Sequence, residues 1–79
     1  MTVTLYTRRG CHLCDDARAV IGSARRRAPF DYEELDIDQD PALRELYDHE
    51  VPVIAINGKK AFKYRLTEND LIRKLWGRH

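Results

Sequence analysis

The chain has 79 residues, with 14 basic and 13 acidic side chains and a formal net charge of +1. This length predicts a single domain over residues 1–79, and a hydrophobic content of 43% is typical of a soluble globular protein. The near-neutral charge argues against binding nucleic acid through its phosphates. No stretch approaches the roughly 20 apolar residues of a membrane span, and residues 1–9 do not resemble a secretion signal. We therefore expect a cytoplasmic protein that binds neither membranes nor nucleic acid.

The first third of the sequence predicts a strand followed by a helix. Thr2–Thr7 is a run of β-prone residues that ends before a turn at Gly10. The next segment has helical periodicity and predicts a helix from about Cys11 to Arg27, which Pro29 stops. Acidic residues near its start and three arginines at its end match the helix dipole. The apolar positions that carry the periodicity are Leu13, Ala17, Val20, Ile21, Ala24 and Ala28.

The middle of the chain predicts a second strand and a short helix. Apolar residues alternate with polar ones between Phe30 and Ile37, as in a strand with one buried face. Asp40 followed by Pro41 is typical of a helix N-terminus, and the helix that it starts closes by Glu50. The first strand, the long helix and the second strand form a β-α-β unit, whose right-handed crossover makes the two strands parallel.

The last third predicts a hairpin and a final helix. Val51 to Ile56 is the most continuously apolar segment, as expected of a central strand. Asn57-Gly58 favours a tight turn, so that Lys59–Arg65 returns antiparallel as a more polar edge strand. Thr67 and Asp70 have the spacing of a helix cap, and the helix that follows has Leu71, Ile72, Leu75 and Trp76 on its apolar face. The predicted architecture is α/β, in the order βαβ-α-ββα.

Cys11 and Cys14 form a C-x-x-C motif at the predicted junction of strand and helix. A bridge over so short a loop stabilises a fold little, so the spacing favours a reactive pair. Free backbone N–H groups and the positive end of the helix dipole would stabilise a thiolate on Cys11, the candidate nucleophile. Cys14 follows one turn later and is placed to attack a mixed disulfide formed on Cys11.

Three segments carry a family resemblance: Leu5-Tyr6-Thr7 leading into Arg8-Arg9-Gly10-Cys11-His12-Leu13-Cys14, then Leu35-Asp36-Ile37-Asp38, and Val51-Pro52-Val53. With these motifs, nearly the whole chain resembles the glutaredoxin branch of the thioredoxin superfamily. The resemblance implies a thioredoxin-like, glutaredoxin-type fold with a four-stranded mixed sheet and helices on both faces. It also implies a thiol–disulfide oxidoreductase that acts on protein disulfides or glutathione mixed disulfides.

The resemblance further implies substrate-binding residues around the cysteines. Arg8 and Val51 match positions at which glutaredoxins contact glutathione. The Val51-Pro52 peptide matches one that is cis in the superfamily and lies against the redox pair, where Val51 offers its backbone to a substrate. His12 completes the candidate set. Histidine changes charge near neutral pH, so His12 either tunes the thiolate or simply faces solvent.

Two departures from the family pattern concern the reductant. His12 and Leu13 stand between the cysteines, where common glutaredoxins have proline and an aromatic residue. No glycine occurs between Gly58 and Gly77, whereas glutaredoxins have a glycine pair there that lets glutathione approach the backbone. We therefore expect weak glutathione binding, a protein disulfide as partner, and either glutathione or a thioredoxin reductase as electron donor.

The two cysteines also allow interpretations in which the protein is not a catalyst. A structural zinc site needs four ligands, and the chain offers locally only Cys11, His12 and Cys14, so we expect no bound metal or other cofactor. Two reduced cysteines packed at a helix start are the structural alternative. A further alternative is a noncatalytic thioredoxin-fold module that binds a partner at Val51-Pro52 or shares an iron–sulfur cluster between two chains. If the protein is a thiol–disulfide oxidoreductase, we expect it to be a monomer.

Overall fold

A computed structural model describes residues 1–76 of the chain. These residues form strands and helices in the order that the sequence predicts. The elements are β1 (Thr2–Thr7), α1 (His12–Arg27), β2 (Asp31–Asp36), a 3₁₀ turn (Ile37–Gln39), α2 (Pro41–Tyr47), β3 (Val53–Ile56), β4 (Lys59–Lys63) and α3 (Glu68–Trp76).

The strands form one mixed sheet in the order β2-β1-β3-β4. Strand β1 pairs with β2 in parallel and with β3 in antiparallel orientation, and β4 lies antiparallel to β3 at the edge. The thioredoxin-like sheet predicted from the sequence is confirmed, including the polar edge strand. Because Tyr6 pairs with Val53, the end of β1 and the start of β3 lie side by side.

The main core lies between one face of the sheet and helices α1 and α3. Side chains alternate along β1, so Val3 and Leu5 point into this core. Tyr6 points to the other face, where its ring lies 4.8 Å from that of Tyr47 on α2. Helices therefore cover both faces, as predicted. The buried residues of the main core are Val3, Leu5, Ala17, Ile21, Ala24, Phe30, Ile54, Leu71 and Leu75.

The ends of β2 and α2 differ from the prediction. Strand β2 stops at Asp36 because the Asp36 carboxylate accepts a hydrogen bond from the backbone N–H of Asp38 at 2.9 Å and starts the 3₁₀ turn. Helix α2 ends at Tyr47 and not at Glu50, whose N–H turns back to the Tyr47 carbonyl at 2.9 Å. Both boundaries depend on local capping that apolar periodicity does not record.

The two strands of the hairpin are shorter than predicted. Strand β3 begins at Val53, because Pro52 has no N–H to donate to the neighbouring strand. Strand β4 ends at Lys63, because Tyr64 has a φ of +67°, outside the strand region. Within residues 1–76, every helix is too short or too polar to cross a bilayer.

The cap and the arginines that the sequence places at helix ends have structural partners. Thr67 Oγ1 accepts a hydrogen bond from the backbone N–H of Asp70 at 3.1 Å and caps α3. At the end of α1, Arg25 Nε donates to the Phe30 carbonyl at 3.0 Å, and Arg27 pairs with Glu68 at 3.0 Å. These contacts anchor the end of α1 to the chain that follows it and to α3.

Candidate active site

A tight turn at Gly10 connects β1 to α1. Gly10 has a φ of +79°, in the left-handed region that favours glycine. Cys11 follows as the N-cap residue of α1 in extended conformation, with φ −89° and ψ 105°. The predicted strand-to-helix junction is therefore formed, and it sets Cys11 at the N-terminus of the helix.

Replacing Gly10 with alanine tests this turn. An added methyl group would meet no heavy atom within 4 Å, so only the backbone conformation opposes it. We expect Gly10→Ala to lower the free energy of unfolding by about 1–2 kcal/mol. A methyl group added to Gly22 within α1 would also meet no heavy atom within 4 Å, and Gly22 has no positive φ. Gly22→Ala should therefore raise the free energy of unfolding by about 1 kcal/mol. Urea denaturation measures both values, and effects of the same sign would contradict the conformational role of Gly10.

Cys11 and Cys14 are joined by a disulfide, with their Cα atoms 5.2 Å apart. The Sγ atom of Cys11 also accepts a hydrogen bond from the backbone N–H of Cys14 at 3.1 Å. Cys14 is fully buried, whereas Cys11 is partly exposed. A partner molecule therefore reaches Cys11 more readily than Cys14.

The Val51-Pro52 segment lies at the end of the sheet from which the cysteine loop leaves β1. Pro52 is buried, and the peptide bond before it is cis, as the resemblance implied. Val51 is half-buried, and its N–H and C=O take no part in the backbone hydrogen bonds found among residues 1–76. Unpaired backbone groups of this kind are suited to binding an extended peptide.

Arg8 is held by groups of this chain. Its Nη2 and Nε donate to the Asp38 carboxylate at 2.8 and 3.3 Å. Its Nη1 donates to the carboxylate and the backbone carbonyl of Asp48 at 2.9 and 2.8 Å. These hydrogen bonds raise the pKa of Arg8 and lower the pKa of Asp48. Binding a substrate carboxylate at Arg8 would therefore require an exchange of one of these partners.

The segment before Val51 is fixed from two sides. Arg8 holds Asp48 from the end of β1, while Lys60 on β4 donates to the Glu50 carboxylate at 2.9 Å. Lys63 lies 3.7 Å from the same carboxylate, and the contact with Lys60 lowers the pKa of Glu50. Each exposed pair contributes little stability by itself. Together they restrict the positions that the Val51 backbone can take.

His12 is exposed on the first turn of α1. The structure therefore places the five remaining candidates, Arg8, Cys11, Cys14, Val51 and Pro52, along one end of the sheet, with His12 beside Cys11 on the solvent side. Across the described residues, no group of three or more His, Cys, Asp or Glu side chains is arranged to hold a metal ion.

A groove that starts at Leu13, between the two cysteines in sequence, was not predicted from the sequence. It has a volume of about 380 Å³ and runs between α1 and the segment joining β4 to α3. Leu13, the residue before Cys14, lies in its wall. The absence of glycine between Gly58 and Gly77 was the available signal, because it places side chains on this segment. The groove is lined by Leu13, Asp16, Ala17, Val20, Tyr64, Arg65, Leu66, Thr67 and Asp70.

The sheet order β2-β1-β3-β4, with a C-x-x-C pair at the start of α1, defines the thioredoxin-like class of redox proteins. Within this class, residues 2–76 match the family described as "Glutaredoxin-like domain (DUF836)". The chain belongs to this glutaredoxin-like family.

Individual proteins support the same assignment. The "Glutaredoxin-like protein YDR286C homolog" of Dictyostelium discoideum is 32% identical, over 90% of this chain and 71% of that protein. The crystal structure of protein XcR50 from X. campestris is 33% identical and has a TM-score of 0.76, over 92% of this chain and 93% of the other. The glutaredoxin-like NrdH-redoxin of Escherichia coli is 28% identical with a TM-score of 0.61, over 96% of both chains.

Proposed function

We propose that the protein is a thiol–disulfide oxidoreductase that reduces disulfide bonds of other proteins. The observation that supports this proposal most directly is the asymmetry of the cysteine pair, in which Cys11 is partly exposed at the helix N-cap and Cys14 is fully buried. The neighbouring Val51 backbone, which is unpaired among residues 1–76, supplies groups to hold a substrate. No permanent cofactor takes part in the proposed reaction.

The reaction begins from the reduced pair. The Cys11 thiolate attacks one sulfur of the substrate disulfide, so a mixed disulfide forms and the other substrate sulfur leaves as a thiolate. The Cys14 thiolate then attacks Cys11 Sγ, and the second substrate sulfur leaves. The substrate has gained two electrons, and the protein has the Cys11–Cys14 disulfide that the structure contains. A thiol or dithiol reductant returns it to the reduced state.

Each candidate residue has a role in this proposal. Val51 donates and accepts backbone hydrogen bonds with an extended substrate segment, and Pro52 shapes the surface beside it. Arg8 fixes Asp48 and thereby the approach to Val51, and it binds a substrate carboxylate when it exchanges a partner. His12 is exposed next to Cys11, where a substrate bound at Cys11 can contact it.

A similar protein indicates the partners. NrdH-redoxin is a glutaredoxin-like protein with a thioredoxin-like activity profile. This supports protein disulfides as substrates and a thioredoxin reductase, in preference to glutathione, as electron donor. We further propose that the protein acts as a monomer in the cytoplasm, where such a reductase and glutathione keep thiols reduced.

A comparison of reductants tests the proposal. The purified chain is oxidised mildly, and mass spectrometry should show an intramolecular disulfide through the loss of two protons. The same sample is then supplied with insulin and either glutathione with its reductase or a flavoprotein thioredoxin reductase with NADPH. We expect faster insulin reduction with thioredoxin reductase. If the protein does not accelerate insulin reduction above the rate without it, with either system or with dithiothreitol, the proposed function is excluded. A cluster spectrum in visible light would favour the noncatalytic alternative.

A further inference from the structure

We infer that Tyr64 is a specificity-determining residue that excludes glutathione from the Val51 backbone. This inference rests on the proposed function, since it concerns which thiol compounds reach the same site. It goes further by assigning the selectivity to one side chain. The first observation is the backbone of Tyr64, whose φ of +67° is rare for a large side chain.

Two backbone hydrogen bonds hold Tyr64 in this conformation. Its N–H donates to the Pro52 carbonyl at 2.8 Å, and the N–H of Arg65 donates to the Lys63 carbonyl at 2.8 Å. Glycine would adopt the same backbone without strain. Unfavourable backbone conformations of this kind persist where the surrounding structure enforces them, and they concentrate at functional sites. We therefore attribute a function to the tyrosine side chain at this position.

The side chain of Tyr64 spans the segment that contains Val51. Its hydroxyl donates to the His49 carbonyl at 3.2 Å, while its own backbone N–H contacts Pro52. The tyrosine thus contacts the carbonyl groups at both ends of the segment 49–52. Lys63 Nζ lies 5.5 Å from the centre of the ring and adds a cation–π contact. The hydrogen bond to the His49 carbonyl and the contact with Lys63 together hold the ring in place.

This position conflicts with the needs of glutathione. Glutathione is a tripeptide with charged groups at both ends and little apolar surface, so its affinity depends on direct hydrogen bonds to the protein. Tyr64 already bonds to the carbonyls of His49 and Pro52, on either side of Val51, so a ligand that pairs with the Val51 backbone has to enter between these contacts. Tyr64 also lines the groove that contains Leu13, so the approach from this groove is narrowed as well. A protein substrate contacts a larger surface and can use the ring as an apolar contact.

The experiment measures binding separately from catalysis. The reduced protein is titrated with S-methylglutathione, which cannot take part in disulfide exchange, and amide shifts are followed by NMR. We expect weak binding to the wild type. In Tyr64→Gly and Tyr64→Asn, whose small side chains tolerate the left-handed backbone, we expect at least about tenfold tighter binding, with shifts at Val51. Tyr64→Phe keeps the ring and should bind as weakly as the wild type.

Asn57→Gly is the control, because Asn57 also has a positive φ, of 52°, but lies in the hairpin turn at the other end of β3. It should leave the affinity unchanged. Tight binding to the wild type, or no gain in both small variants when their spectra show the native fold, would overturn the role of Tyr64. Since S-methylglutathione has no thiol, neither result depends on disulfide reduction. A failure of the proposed oxidoreductase activity would instead appear in the insulin assay.

Discussion

Cys11→Ser is expected to abolish disulfide reduction, and Cys14→Ser is expected to accumulate a mixed disulfide on Cys11. The two variants should differ because the two cysteines lie at different depths in the protein. Cys11 is partly exposed at the N-cap of α1, where helix N–H groups stabilise a thiolate, so its loss removes the attacking sulfur. Cys14 is fully buried, and in the proposed reaction it only releases the substrate. Without it, the first exchange still occurs and the second does not.

Three measurements check these roles. Insulin reduction should fall to the uncatalysed rate in Cys11→Ser. Mass spectrometry of Cys14→Ser incubated with a disulfide substrate should show the mass of the trapped adduct, which reduction removes. Brief alkylation of the reduced wild type at neutral pH should label Cys11 first. Preferential labelling of Cys14, or an adduct on the Cys11→Ser variant, would reverse the assignment.

The parts of the fold that the sequence predicts well are those set by local signals. Helix α1 ends at Arg27 as expected, because its apolar spacing, its terminal arginines and Pro29 all act within the segment itself. The hairpin turn follows from Asn57-Gly58, whose two residues both have positive φ. The turn before the cysteines follows for the same reason, since Gly10 takes the left-handed conformation that glycine favours.

The parts that could not be predicted depend on contacts between distant residues. Arg8 pairs with Asp38 and Asp48, which lie 30 and 40 positions away, and no local pattern identifies these partners. The conformation of Tyr64 is similar, because it is imposed by the carbonyl of Pro52 across the hairpin. The sequence indicated which residues approach the cysteines. It did not indicate which of them are already engaged with each other, and this decides how a ligand can bind.

Leu5→Ala is expected to produce the largest loss of stability. Leu5 lies at the centre of the sheet, between Glu34 of β2 and Ile54 of β3, and its side chain is fully buried in the main core. Removing a buried leucine side chain costs about 2–5 kcal/mol, because a cavity remains in addition to the lost transfer energy. Small domains have total stabilities near the low end of about 5–15 kcal/mol. The variant should therefore be partly unfolded near 37 °C and lose activity with its fold, since β1 carries the cysteine loop.

Leu46→Ala makes the same chemical change at a different depth. Leu46 on α2 is 61% exposed, so its replacement should change the free energy of unfolding by no more than about 0.5 kcal/mol. Urea denaturation of both variants, with insulin reduction measured at a temperature where each is folded, separates packing from catalysis. Equal losses of stability would contradict the placement of Leu5 in the core and of Leu46 at the surface. A loss of insulin reduction in folded Leu46→Ala would show that the exposed face of α2, remote from the cysteine loop in sequence, contacts the substrate.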